Sequence, residues 1–138
     1  MRHTTKIRVY YADTDCGKVV YYANYLKYFE IGRTELLRAN GIELEHYHSQ
    51  NIIFIVVSVN IDYKFSAKYN DELTILSELI DYNKKTFTIY NEILNQDSRL
   101  CVSGQTKCAC VDNTGKLITT PVEIIKVFEK IINKREVK

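Results

Sequence analysis

Along residues 22–39 the positions Tyr22, Tyr25, Phe29, Gly32, Leu36 and Ala39 follow one another at spacings of three and four. Only an α-helix brings residues so spaced onto one face. Beyond Ile52 the hydrophobic period falls to two for most of the chain. A long helical stripe and a series of half-apolar strands must each bury one face. The economical arrangement lays the helix on the sheet and lets the sheet cover it.

The rest of the pattern fills in that plan. Residues 4–11 set Lys6 and Arg8 against Ile7 and Val9, which predicts a first strand. The helical period begins near Val20, after a loop at residues 13–18. Lys27, Glu30, Thr34 and Arg38 take much of the outer face, and Asn40-Gly41 has the residue types of a left-handed C-cap. Gly32 lies on the apolar face, where glycine costs ~1 kcal/mol against alanine. Close approach to another backbone would explain it, as would a kink. A polar loop is predicted at residues 43–51. Val57, Val59, Ile61, Tyr63 and Phe65 then alternate with Ser58, Asn60, Asp62 and Lys64, which predicts an antiparallel strand with one buried face. Residues 73–80, 85–94 and 100–111 predict three more strands, separated by Asn/Asp-rich turns. Thr120 and Pro121 fit the N-cap and first turn of a closing helix. Its apolar stripe is Ile124, Phe128, Ile131 and Ile132, and Lys126, Lys130, Lys134 and Arg135 make another face basic. Such a helix is expected to dock on the sheet, and peripheral contact with an anionic membrane is the second use of a basic amphipathic face. The class is α+β, in a single domain over residues 1–138.

Charge and composition narrow the function. A net charge of +2 without a basic, aromatic-interleaved stripe gives no nucleic-acid signature. No secretory leader pattern opens the chain and no apolar run approaches the ~20 residues of a membrane span, so a cytoplasmic protein is expected. Cys101, Cys108 and Cys110 fall in one predicted strand and read as small buried hydrophobes. His46 and His48, in an acidic loop without a nearby cysteine, read as solvated, so no metal centre is expected.

The chemistry-bearing segment is Asp13-Thr14-Asp15, two carboxylates just ahead of the long helix. Aspartates there serve as turn and cap residues. They also stand beside unpaired N–H groups and a positive dipole end, where a carboxylate can act as base or nucleophile next to an oxyanion site. Asp13 is expected to fix the loop by accepting backbone hydrogen bonds, and Asn24 and Glu30 to organise the helix start and its packing.

Tyr11-Ala12-Asp13-Thr14-Asp15, Gly17, Val19-Val20-Tyr21, Ala23-Asn24-Tyr25-Leu26, Tyr28-Phe29-Glu30 and Arg33 together resemble the signature of the hotdog-fold acyl-CoA thioesterases. The segment is similar to the 4-hydroxybenzoyl-CoA thioesterase family, and within it to the branch associated with the Tol–Pal envelope system. The resemblance implies a long central helix wrapped by an antiparallel sheet of about five strands. It implies homodimers, often paired into homotetramers, with active sites between subunits. By the same resemblance Asp15 is the catalytic carboxylate, the Tyr22 backbone N–H polarises the thioester carbonyl, and Tyr11 stands near the site. The Tol–Pal branch commonly has histidine where this chain has Tyr22; a tyrosine hydroxyl keeps its proton at neutral pH, so a shuttle is not expected there. Lys84 and Lys85 match basic positions that hold coenzyme A phosphates from the neighbouring subunit, and they equally read as a solvated turn. Val57 and Val59 are expected to shape the acyl pocket with the partner's helix. The substrate implied is an acyl-CoA or acyl-carrier thioester, coenzyme A entering only as part of it, with no separate cofactor. A hotdog hydratase or dehydratase, and a non-catalytic acyl-CoA or acyl-carrier binder at the envelope, are the competing readings.

Overall fold

The computed structural model describes residues 2–136, with side chains as far as residue 133. Five long strands form one antiparallel sheet: β1 (His3–Arg8), β4 (Ile53–Tyr63), β5 (Glu72–Tyr82), β6 (Thr86–Leu94) and β7 (Leu100–Val111). Their order is β1-β5-β6-β7-β4. Helix α1 (Asn24–Ala39) lies across β1, β5 and β6, and α3 (Val122–Glu136) packs near the far end of β5. Two short strands, β2 (Thr14–Asp15) and β3 (Val19–Val20), form a small hairpin that leads into α1.

The inner sheet face alternates with the pleat. Leu73, Ile75, Ser77 and Leu79 on β5 and Phe87, Ile89, Asn91 and Ile93 on β6 are all buried. They divide into two apolar clusters. One gathers Tyr25, Tyr28, Phe29, Leu73, Ile75 and Val102 beneath the first half of α1. The other gathers Leu36, Leu37, Phe87, Ile124 and Phe128 beneath its second half and under α3. Between them α1 comes closest to the sheet at Gly32. A Cβ there would lie 2.5 Å from Ser77 Oγ and 2.6 Å from Ile75 Cγ2. The glycine therefore answers a close approach, to sheet side chains rather than to backbone, within an unbroken helix. The helix ends in a Schellman arrangement: the Ile42 N–H donates to Leu37 O and the Gly41 N–H to Arg38 O, with Gly41 at φ +83°.

Four expectations need correction. The helix starts at Asn24, not near Val20, because Val19 and Val20 pair with Asp15 and Thr14 as a strand. Residues 43–51 are not all loop: α2 (Leu44–His48) forms one turn because Tyr47 is buried against the second cluster, while His46 and His48 stay exposed. Helix α3 starts one residue late, and the Pro121 carbonyl accepts the Ile124 and Ile125 amides. The fourth concerns β4, which was expected to bury one face. It is an edge strand, and Val57, Val59 and Tyr63 are 50%, 39% and 49% exposed. A bulge between Val56 and Ser58 also breaks its phase: Val56 opposes Cys108 and Val59 opposes Thr106, so Val57 is the extra residue.

The closing helix docks as expected, with Phe128 against Phe87 and Tyr82 at ring separations of 5.1 and 5.7 Å. Lys126 and Lys130 are exposed; Lys134 and Arg135, the other half of the basic face, have side chains outside the described residues. Among the described residues no helix is long and apolar enough to cross a membrane.

Gly32→Ala pits a helix-propensity gain of ~1 kcal/mol against overpacking of ~1–3 kcal/mol. Ser77 is buried and accepts a hydrogen bond from Asn91, so it cannot swing aside freely. Contacts of 2.5 and 2.6 Å put the overpacking at about 2–3 kcal/mol, so a net loss of about 1–2 kcal/mol in urea unfolding is expected. An unchanged midpoint and slope would show that the helix does not sit this close.

Candidate active site

The segment ahead of α1 is held by Asp13, the one buried carboxylate of the motif. Its main-chain carbonyl accepts the Tyr21 N–H and the Asn24 side-chain amide, both at 2.9 Å. Its carboxylate accepts from Lys27 Nζ at 2.8 Å, from the Tyr28 hydroxyl at 3.0 Å and from the Tyr10 N–H at 3.4 Å. Burial by itself raises the Asp13 pKa. The hydrogen bonds from Lys27, Tyr28 and Tyr10, with the charge of Lys27, outweigh it and hold the carboxyl below the ordinary aspartate range. Tyr28 is pushed the other way, by burial first and then by its bond to Asp13. Asp13 thus fixes the loop as expected, using two side chains of α1 as well as backbone.

Asp15 is arranged differently. It is exposed, and its side chain makes no hydrogen bond or ion pair among the described residues. It stands on β2 opposite Val19, and Val19 in turn bridges Lys68. Residues directly opposed across antiparallel strands project to the same face. Asp15, Val19 and Lys68 therefore share the outer face of this ribbon, while Val20 and Ala67 turn inward and are buried. Two strand spacings separate the backbones of Asp15 and Lys68, about 10 Å. The connection between β2 and β3 carries Cys16 at φ +54° and Gly17 at φ +73°.

Tyr22 precedes the helix by two residues, and Ala23 is the N-cap, in helical conformation. The Tyr21 amide is engaged by Asp13, and those of Asn24, Tyr25 and Leu26 reach back three residues to Tyr21, Tyr22 and Ala23. The amides of Tyr22 and Ala23 have no acceptor among the described residues. Beside Tyr22 a cleft of about 500 Å³ opens between α1 and the end of β4, floored by Val20, Tyr25 and Cys101 and rimmed by Tyr63, Lys64 and Lys68. The Tyr22 ring meets Tyr63 edge-on at 6.3 Å. Burial, then the charge of Asp71, pushes the Cys101 thiol up to about 11, so the floor is uncharged.

The other expected residues lie apart from this cleft within one chain. Tyr11 packs over Gly17, whose added Cβ would lie 2.7 Å from its ring, and meets Tyr69 at 6.0 Å. It borders a separate cleft with Arg8, Tyr10 and Asn70. Lys84 and Lys85 are exposed in the β5–β6 connection, where the Asn83 carboxamide accepts the Lys85 and Thr86 amides. The 11 residues of β5 separate that turn from the end that carries the site, about 33 Å at the usual strand rise. Val57 and Val59 lie along the exposed edge that runs toward Tyr63. Sequence reasoning missed Lys64, Lys68, Tyr28 and Lys27. The spacing Lys64-x-x-x-Lys68 where a strand ends was the only available signal for the first two.

An antiparallel sheet wrapped over one long helix, with its acidic hairpin at the helix start, defines a hotdog-fold protein. The chain belongs to the thioesterase-like superfamily, whose model matches residues 9–130. Among its relatives, the acyl-CoA thioesterase YbgC of Haemophilus influenzae is 35% identical over 128 residues, which covers 91% of this chain and 93% of that protein. A DHNA-CoA thioesterase from Staphylococcus aureus has the same structure at a TM-score of 0.94 and 26% identity, covering 99% of this chain and 95% of that one. A mutant 4-hydroxybenzoyl CoA thioesterase complexed with 4-hydroxybenzoyl CoA shares the fold, at a TM-score of 0.81 and 19% identity, over 91% of this chain and 97% of that one. These matches bear out the resemblance of the N-terminal motif.

Asp13→Asn should cost about 1–3 kcal/mol at neutral pH, the worth of a buried charge-assisted hydrogen-bond set. Because folding lowers this carboxyl's pKa, its contribution is present above the unfolded aspartate range and is lost as pH falls through the folded value. The stability gap between wild type and variant, measured by urea titration, should therefore close as pH drops below about 4. A gap that persists unchanged at lower pH would mean that the charge is not what holds the loop.

Proposed function

We propose that this chain is an acyl-CoA thioesterase, hydrolysing a thioester to the free acid and coenzyme A, with Asp15 as general base or nucleophile. The observation that carries the reading is the free Tyr22 amide at the start of α1, next to a cleft and one short hairpin away from an unpaired carboxylate. A thioester carbonyl set against that N–H gains a donor for its developing oxyanion, a contribution of ~3–4 kcal/mol. Asp15 then takes the proton of an attacking water, or attacks the carbonyl carbon itself to give an anhydride that water opens. In both routes the C–S bond breaks and the electron pair leaves on sulfur. A thiolate is a good leaving group, so no strong general acid is required. This suits Tyr22, whose contribution is its main chain. A hydratase would need a histidine at the site; His46 and His48 are on α2, and His3 is at the start of β1.

The reading includes a second copy of the chain. Strand β4 leaves a long edge on which Ile55, Val56, Val57, Val59 and Tyr63 are all exposed, without proline or lysine to block pairing. Such an edge offers unpaired main-chain groups to a second strand. Pairing of two copies through β4 would bury Val57 and Val59 next to the Tyr22 cleft. It would also allow Lys84 and Lys85 of a neighbouring copy to approach coenzyme A, which the same chain's strand length forbids.

Asp15→Asn should lower kcat for acyl-CoA by about 10²–10⁴-fold with an unchanged melting temperature, while Tyr22→Phe stays within a few-fold of wild type. Near-wild-type thiol release by the Asn variant would remove Asp15 from the mechanism. Val59→Asp should convert the oligomer to monomer in analytical ultracentrifugation and abolish turnover with it. A wild type that already sediments as a monomer at full activity would defeat the two-copy site.

A further inference from the structure

The cleft beside Tyr22 has a charge pattern that the hydrolytic step does not use. Lys64 and Lys68 both border it, both are exposed, and neither makes a salt bridge among the described residues. Among the described residues no carboxylate borders it. Asp71, the acid nearest Lys68 in the turn, accepts the Lys68 main-chain N–H at 2.9 Å and the Gln96 side-chain amide at 3.1 Å. Asp62 is two residues before Lys64 on β4, exposed and outside the cleft.

Exposed lysines are ordinarily just solvated. What distinguishes these two is the frame that carries them and the floor beneath them. The Lys64 N–H donates to Cys101 O at 2.8 Å, and Lys68 is bridged to Val19. Their backbones are therefore tied to β7 and to the hairpin of Asp15. Below them Val20, Tyr25 and Cys101 are nearly fully buried and uncharged at neutral pH. A groove with an apolar floor and a cationic, acid-free rim selects a ligand that is anionic at one end and uncharged along its length.

We propose that Lys64 and Lys68 hold the phosphate of the substrate's carrier, so that the cleft recognises a phosphate-bearing pantetheine arm while Asp15 acts on the thioester at its end. This rests on the thioesterase reading and adds to it the residues of the same chain that recognise the carrier. An ammonium is a point charge for phosphate, so the contact is strong at low salt and screened at high salt. The phosphate could belong to free coenzyme A or to the phosphopantetheine of an acyl-carrier protein; both present the same group.

The test compares one acyl group on three carriers: coenzyme A, 4′-phosphopantetheine, and pantetheine without phosphate. In the Lys64→Ala/Lys68→Ala double variant, KM for acyl-CoA should rise about tenfold or more at unchanged kcat, and KM for acyl-pantetheine should not move. Lys64→Arg/Lys68→Arg should restore the wild-type value, and the salt dependence of KM seen in wild type should flatten in the alanine variant. An equal rise for acyl-phosphopantetheine assigns the contact to the phosphate on the arm; a rise for acyl-CoA alone moves it to the nucleotide and overturns recognition of the arm. An unchanged KM for acyl-CoA, or the same change with acyl-pantetheine, overturns the proposal. Asp15→Asn in the same assay reports separately on hydrolysis. Should wild type turn over none of the three, direct titration of coenzyme A into wild type and the alanine variant still decides the role of the lysines.

Discussion

The approach of α1 to the sheet at Gly32 sets the geometry of everything else. With no side chain at that position, the helix backbone lies almost against Ser77 and Ile75, and Asn91 donates to Ser77 at 2.7 Å just beneath it. The contact divides the interior into two apolar clusters and fixes where along the sheet each end of the helix falls. The second half of α1 meets Leu79, Phe87 and the docked α3. The first half delivers Asn24, Lys27 and Tyr28 to the loop that carries the two aspartates. Without the close approach the helix would ride higher, and its first turn would no longer reach Asp13.

The two aspartates then take opposite fates from one structural cause. Asp13 faces the helix and is enclosed by three donors, so it is ionised, immobile and committed to holding the chain. Asp15 follows two residues later on a strand and lies on the outer row with Val19 and Lys68, where its side chain has no partner among the described residues. The same loop settles the fate of the amides. The Asp13 carbonyl engages the Tyr21 N–H, and the first helical amides find partners three residues back, which leaves those of Tyr22 and Ala23 without an acceptor among the described residues. The Asp15 carboxylate and the Tyr22 amide are thus both left open to solvent, one short hairpin apart.

Most of the framework was legible in the residues. Two periodicities, a glycine on an apolar face, Asn40-Gly41 and a series of Asn/Asp turns suffice for one long helix against an antiparallel sheet. Each is a local property, set by the pleat, by the helical repeat or by the left-handed backbone of a turn. The acidic motif and the family it resembles were equally plain. The errors arose where one element meets another. Val20 looked like the start of a helix and became part of a strand because Thr14 pairs with it. The even alternation through Val57 looked like one buried face and became a bulged, exposed edge because β4 has β7 on one side only.

The sequence by itself thus determined where the long helix, the closing helix and the main strands run, which face of the long helix is buried, and which two carboxylates lie before it. These follow from the repeat of side chains along a single segment. The tertiary structure alone decided that Asp13 is the buried aspartate and Asp15 the free one, that the Tyr22 amide lacks an acceptor, that Lys64 and Lys68 rim its cleft, and that Lys84 and Lys85 stand at the other end of β5. Each of those depends on residues distant in the chain, as Val20 donating to Ala67 and Asp13 accepting from Tyr28 show. Whether a polar group is engaged is a property of its surroundings in space, which no spacing along the chain records.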